Sequence, residues 1–403
     1  MALFHLIASW IGYLLICLLG LILIAFLIFC LYIKYIHLKY DHIPGPPRDS
    51  FIFGHSPTIL REMSNGRVIH DKFLEWSETY GPVYRINGLH VVMLCVTCPD
   101  TTKEVLMSPK YPKDSLVYKR LFSLFGQRFL GSGLVTAQNH DVWYKQRRIM
   151  DPAFSSLAEN LMDKLGNMAD NNTTANMHHL FNCVTLDVIT KVAFGVELDL
   201  LKESDTPFPN AIEMCLKGMV HYLRDSTFQV NSYIKVKQEV DDVIGMKQEI
   251  SFDDLGKMTY LSQVLKETLR LYPTAPGTSR FIPNDIVING IPVPAGVSCF
   301  FSSYVCGRMD KFFEDPLKFD PERFHPDAAK PYYCYYPFAL GPRSCLGQSF
   351  AQMEAKVVMA KLLQRFDFSL LPGQSFDILD TGTLRPKSGV VCNIKHRGQT
   401  PAA

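Results

Sequence analysis

The hydrophobic positions of this 403-residue chain change period several times from end to end. Residues 6–33 form one continuous apolar run, 28 positions without a charged side chain, where roughly 20 suffice for a helix to cross a bilayer. Prolines come soon after. Ile43-Pro44-Gly45-Pro46-Pro47-Arg48 fixes φ and removes a backbone donor at each proline, which predicts a stiff, extended hinge instead of a helix. Alternating β-branched and aromatic side chains then predict strands over 83–96 and over 285–301, the second stretch folded about Asn289-Gly290. Apolar spacing of three and four predicts helices over 71–79, 143–150, 180–193, 262–271 and 348–366. The expected fold is mainly α with small β-sheets, α+β in class, preceded by one transmembrane helix.

These patterns divide the chain into an anchor at 1–33, a proline-rich hinge at 34–50, and one large domain over 51–403. At 47% hydrophobic residues the chain can bury a sizeable core. A net charge of +2, evenly spread, offers no basic stripe, so nucleic acid is not an expected partner. A cleaved signal peptide would carry a basic stretch before the apolar run and a small-x-small site after it; the chain has neither. Lys34 and Lys39 lie just beyond the run and no lysine or arginine precedes it. The positive-inside bias therefore predicts a single-pass protein with its body in the cytosol. That compartment is reducing, so the 11 cysteines are expected as free thiols. The acceptor sequons at Asn171 and Asn172 are expected to stay unmodified.

One loop carries chemistry: Phe338-Ala339-Leu340-Gly341-Pro342-Arg343-Ser344-Cys345-Leu346-Gly347. It sets a single cysteine among glycines and runs straight into the helix predicted over 348–366. A thiolate bound to haem iron pushes electron density onto the metal and favours O–O cleavage, and the N–H groups of a helix start temper its charge. Gly341 and Gly347 would let the backbone turn tightly and approach a flat macrocycle. Arg343 is placed to neutralise a haem propionate, and Phe338 to pack beside the sulfur. A buried structural cysteine is the competing reading. The decapeptide resembles the haem-binding loop of the cytochromes P450, Phe-x-x-Gly-x-Arg-x-Cys-x-Gly, at every fixed position.

Further stretches resemble that family in the expected order. Glu267-Thr268-Leu269-Arg270 places Glu267 and Arg270 on one helix face, and Pro321-Glu322-Arg323-Phe324 resembles the segment whose arginine joins them. The resemblance makes Glu267, Arg270 and Arg323 a structural set beneath the haem. Trp143-Tyr144-Lys145-Gln146-Arg147 resembles the Trp-x-x-x-Arg helix, so Trp143 and Arg147 would reach the propionates. Arg280 occupies the place of another propionate-binding arginine. The implied cofactors are haem b, its iron on Cys345 as metal ligand and catalytic residue, and NADPH acting through a separate membrane-bound flavoprotein reductase. Cys95-Val96-Thr97-Cys98 has redox or zinc spacing but no second pair, and reads as incidental thiols. Residues 130–134 are glycine-rich but lack the lysine of a phosphate loop.

Residues 40–48, 73–87, 111–136, 304–324 and 336–368 resemble one branch of the family, the cholesterol 24-hydroxylases. This implies insertion of one oxygen atom into a sterol side chain such as that of cholesterol, at the endoplasmic reticulum membrane. Pocket walls would come from 111–129, 273–278 and a turn near 381–384, which taken together are rich in Leu, Phe, Tyr and Pro. Tyr111 and Tyr118 could hydrogen-bond a sterol hydroxyl, or simply pack.

The resemblance breaks in the middle. Only 124 positions separate Trp143 from Glu267. Up to about 228 the chain resembles the region before the family's substrate-access helices; from about 232 it resembles the segment after the long central helix. No (Ala/Gly)-Gly-x-(Asp/Glu)-Thr occurs. In the family that acid–alcohol pair relays protons to bound dioxygen, on a helix of roughly 30 residues and about 45 Å. The expectation is an internal deletion near 228–233, from splicing or misprediction, leaving a proximal half that ligates haem and a compromised distal half. The alternatives are an inert haem-binding isoform that competes for the reductase, or a chain that does not fold.

Overall fold

The computed structural model describes residues 2–115, 228–247, 250–329, 331–345, 347–374, 377–380, 383–387 and 390–397, with scattered positions between 118 and 176. Its first helix, α1 (Ala2–Tyr40), is 39 residues long. Ser9–Tyr40 is long and apolar enough to cross a membrane. Only towards its end does α1 pack on the body, where Ile33, His37 and Tyr40 are buried. Residues 34–40, expected in the hinge, are therefore helical: the first helix breaker is Pro44, and nothing before it stops propagation. The rest of the hinge is docked. Arg85 N–H donates to Pro44 O at 2.8 Å, His55 Nε2 lies 2.9 Å from Pro46 O, and Ile43 is fully buried. At Gly45 an added Cβ would sit 2.7 Å from Arg85 O. The proline run is thus an extended clamp that holds the end of α1 against the segments carrying His55 and Arg85.

Beyond the clamp come α2 (Ser56–Ser64), α3 (Ile69–Tyr80), β1 (Val83–Gly88), β2 (Val91–Val96) and α4 (Pro99–Met107). The second half opens with α5 (Phe228–Val243), α6 (Phe252–Lys257) and α7 (Thr259–Leu271). It continues through β3 (Thr278–Ile282), β4 (Ile286–Ile288), β5 (Ile291–Val293), β6 (Val297–Phe301) and α8 (Ser303–Cys306). After Cys345 come α9 (Gln348–Arg365), β7 (Phe366–Leu370), β8 (Ile378–Asp380), β9 (Leu384–Pro386) and β10 (Val391–His396). The helices expected over 71–79, 262–271 and 348–366 correspond to α3, α7 and α9; those over 143–150 and 180–193 lie outside the described residues.

The main sheet runs β1-β2-β6-β3. Val83 faces Val96 across an antiparallel pair, Leu94 faces Cys299 across a parallel one, and Thr278 faces Phe301 across a second antiparallel pair. The stretch 285–301 forms three strands, because β4 and β5 close a tight hairpin at Asn289 (φ 50°) and Gly290 (φ 78°). Both dihedrals are left-handed, as a type I′ turn demands. One core lies among α5, α7 and α9, with Val236, Val240, Leu261, Val264, Val358 and Leu362 buried together. Another backs the sheet, with Leu94, Val96, Val105 and Phe301. Each such side chain contributes roughly 1.5–3 kcal/mol. These two cores hold α9 and the β3 segment on either side of the cysteine loop.

Candidate functional site

The loop before α9 is closed by its own backbone. Ala339 N–H donates to Tyr336 O (3.0 Å), Ser344 N–H to Gly341 O (2.9 Å) and Cys345 N–H to Phe338 O (2.8 Å). Gly341 has φ 68° and presses on the end of α4; an added Cβ would lie 2.7 Å from Met107 Cα and closer still to Leu106 O. Glycine is required there on both counts. Gly347 differs: φ is −83° and an added Cβ meets nothing within 4 Å, so the backbone itself makes no demand for glycine at 347.

Cys345 is exposed and lines a cavity of about 370 Å³. Leu265 and Leu269 of α7, Ala351, Glu354 and Ala355 of α9, and Phe338, Arg343, Lys113 and Tyr118 line it too. Two lining cations, Lys113 and Arg343, gather with a third, Arg280, which is not itself in the lining. Arg280 is buried; its Nη1 donates to Thr278 Oγ1 (2.8 Å) and Ser279 O (2.9 Å). Its Nη2 is also buried and finds no hydrogen-bond partner among the described residues. Lys113 bridges to Arg280 through the backbone. Burial, then the charges of Arg280 and Arg343, bring the Lys113 amine down to about 7, against the pull of Cys345. Burial and then Arg280 lower Arg343 to about 10, and burial lowers Arg280. Burial opposes all three charges and neighbouring cations add to it at Lys113 and Arg343; a group with carboxylates would relieve them through charge-assisted bonds.

A haem fits this donor set. Cys345 would take the iron, and Arg280, Arg343 and Lys113 the propionates. Leu265, Leu269, Ala351 and Ala355 would flank the macrocycle, and Arg280 Nη2 is the orphan donor that a propionate satisfies. Trp143 and Arg147, expected at the same end, lie outside the described residues. Tyr118 lines the cavity, its hydroxyl 3.2 Å from Thr278 Oγ1; Tyr111 does not, and donates instead to Glu104 at 3.5 Å.

The structural set comes together on the other side of α7. Glu267 and Arg270 are fully buried and joined by two bonds of 2.7 Å. Arg270 also donates to Pro316 O (2.7 Å) and Lys318 O (3.1 Å). Arg323 Nε stands 3.5 Å from Glu267 Oε1, an ion pair without hydrogen-bond alignment. Burial raises the Glu267 carboxyl, and Arg270 counters it. The set ties α7, and so one wall of the cavity, to the 3₁₀ turn Pro321–Phe324.

Sequence reading missed Lys113 and Glu354. No local pattern distinguishes either: Lys113 joins Arg280 only because segments far apart in sequence pair. Burial lifts the Glu354 carboxyl to about 7. In the Cys-x-x-Cys pair, burial pushes the Cys95 thiol up to about 12, and every described cysteine is a free thiol. No group of three or more metal-ligating side chains occurs among the described residues.

A family model described as Cytochrome P450 matches residues 44–234 and 230–394, as two segments. Cytochrome P450 3A6 of Oryctolagus cuniculus is 25% identical over 472 residues, covering 88% of this chain and 92% of that protein. Cytochrome P450 4d2 of Drosophila melanogaster is 37% identical over 169 residues, 40% of this chain and 33% of that protein. Cytochrome P450 4B1 of Homo sapiens is 34% identical over 205 residues, 50% of this chain and 40% of that protein. The chain thus spans nearly all of the first relative's length and less than half of the other two.

Proposed function

The chain belongs to the cytochrome P450 family, haem-thiolate monooxygenases that draw electrons from NADPH through a reductase, and on that premise we propose that it is a membrane-anchored member of the sterol-oxidising branch that keeps the haem-holding half and has lost the oxygen-activating helix. The observation that carries this reading is the join at 230–234, where the two matched segments of the family model overlap. The alignment to the Oryctolagus protein runs over 472 residues, more than the 403 of this chain, so residues of that relative have no counterpart here. The chain holds no acid–alcohol motif, and α5, which spans the join, lines no part of the cavity.

When bound, haem supplies the one-electron and oxygen-transfer chemistry. Cys345 would hold its iron as thiolate, tempered by the N–H groups at the start of α9. Arg280, Arg343 and Lys113 orient it through its carboxylates, and the leucines and alanines of α7 and α9 exclude water. The pair Glu267–Arg270 keeps α7 at the right distance. Among the described residues that line the cavity no adjacent acid–alcohol pair like the family's proton relay occurs, so oxygen cleavage is expected to be uncoupled from substrate oxidation. The substrate class, a sterol side chain such as that of cholesterol, rests on the resemblance of residues 304–324 and 336–368 and on the apolar cavity. The anchor α1 suits a substrate dissolved in the endoplasmic reticulum bilayer, with the body on the cytosolic side.

Turnover with cholesterol, NADPH and reductase tests the reading. The 403-residue chain should take up haem and form no hydroxylated sterol, and insertion of a relative's central segment at 230–234 should restore product. Product formed by the short chain contradicts the lost relay. Haem uptake without turnover, combined with inhibition of the reductase's other clients, selects an inert competing isoform.

A further inference from the structure

Glu354 has no task in the chemistry above, yet it faces the same cavity as Cys345. It lies on α9 with Ala351 and Ala355, and among the described residues it is the one carboxylate of that lining. Its Oε1 is buried and meets no hydrogen-bond donor among the described residues. The walls around this part of the cavity, from α7 and α9, include Leu265, Leu269, Ala351 and Ala355. Burial, the sole cause acting on it, raises the carboxyl to about 7. A carboxyl so placed stands near balance between acid and carboxylate at neutral pH.

We infer that Glu354 is a positioning residue for electron uptake at this site: as a neutral acid it lets a bound haem accept an electron, and as a carboxylate it opposes that step. The inference rests on the reading that haem fills this cavity with Cys345 on its iron. One electron adds one negative charge to a poorly screened space, and a fixed carboxylate nearby raises the cost of that charge. The balance is simple. One electron enters from the reductant, one proton enters from solvent onto the Glu354 carboxylate, and the net charge of the cavity is unchanged. No bond to substrate forms or breaks.

The other titratable groups lining the cavity are Cys345, Lys113, Arg343, Tyr118 and Tyr336; burial pushes the Tyr336 hydroxyl well above the neutral range. Lys113 is the rival, because it too is brought to about 7. Bound propionates would hold its proton and remove it from the neutral range.

The test uses the full chain loaded with haem, first checked for a thiolate-type Soret band under carbon monoxide. Its midpoint potential is then measured spectroelectrochemically at a series of pH values. The potential should fall as pH rises through about 7, stay flat across that range in E354Q, and keep its slope in E354D. A flat wild-type potential or a slope that survives in E354Q overturns the inference and leaves the haem reading standing. Failure to take up haem, or a band without thiolate character, overturns the haem reading and the inference with it. If E354Q does not accumulate, infrared difference spectra of the wild type read the same group. A protonated carboxyl band that disappears as pH passes about 7 supports the assignment, and its absence overturns it.

Discussion

At Gly341 a left-handed backbone coincides with a contact against Leu106 and Met107 that leaves no room for a Cβ. G341A would therefore strain the turn, at a cost of order 1–3 kcal/mol for the dihedral alone, and push the cysteine loop away from α4. A lower thermal midpoint together with reduced haem content is expected; an unchanged midpoint would show that the loop does not depend on this contact. Glu354 gives a prediction of the opposite sign. Its folded value, about 7, lies above the ordinary carboxylate value of 4.5, so the folded state binds the proton more tightly than the unfolded one. The stability it contributes is full below the ordinary carboxylate range, declines as pH rises towards 7, and is gone above it. E354Q should raise stability at neutral pH by up to about 3 kcal/mol and change little in acid, as denaturant titrations at the two pH values would report.

Within α7 the two faces do different work: Leu265 and Leu269 line the cavity, while Glu267 and Arg270 lock the helix to the loops behind it. E267A would leave Arg270 charged and buried without its partner, a loss of about 3–5 kcal/mol. R323A should cost less, since Arg323 reaches Glu267 only at 3.5 Å and its side chain is partly exposed. Equal losses from the two variants, measured by denaturant midpoints, would contradict that ranking. How much of this is legible in the sequence depends on how local each feature is. The apolar spacing of α7 and α9, the Asn289-Gly290 hairpin and the glycine-punctuated cysteine loop are set by neighbours a few residues away. The docking of Pro44 and Pro46 on Arg85 and His55, and the gathering of Lys113 with Arg280, depend on distant segments meeting in space. Helical continuation through 34–40 departs from the expected hinge because a proline restricts itself and the residue before it, not positions a full turn upstream.

At the scale of the whole molecule the apolar helix α1, the half that holds the cysteine loop and the proposed join at 230–234 have different fates. Removing residues 2–32 keeps Ile33, His37 and Tyr40, the buried contacts of α1. The truncated chain should leave the membrane fraction on alkaline washing and retain the spectrum of the full chain. The proposed loss of the central helix has a larger effect. Losing even a dozen buried apolar side chains, at roughly 1.5–3 kcal/mol each, exceeds the typical total stability of about 5–15 kcal/mol. The chain should therefore unfold at lower denaturant than a version with a relative's central segment inserted at 230–234. The proximal half stands apart from that loss, because its loop is closed by its own backbone and backed by α4, α7 and α9.

The most direct measurement is the absorption spectrum of the purified, dithionite-reduced chain under carbon monoxide, taken beside C345S. A red-shifted Soret band of the thiolate-ligated type in the wild type, absent in C345S, is the expected result and would place Cys345 on iron in a formed pocket. No haem uptake, or a band that C345S leaves unchanged, would contradict it: the chain would then carry the family's cysteine loop without the site that the loop builds.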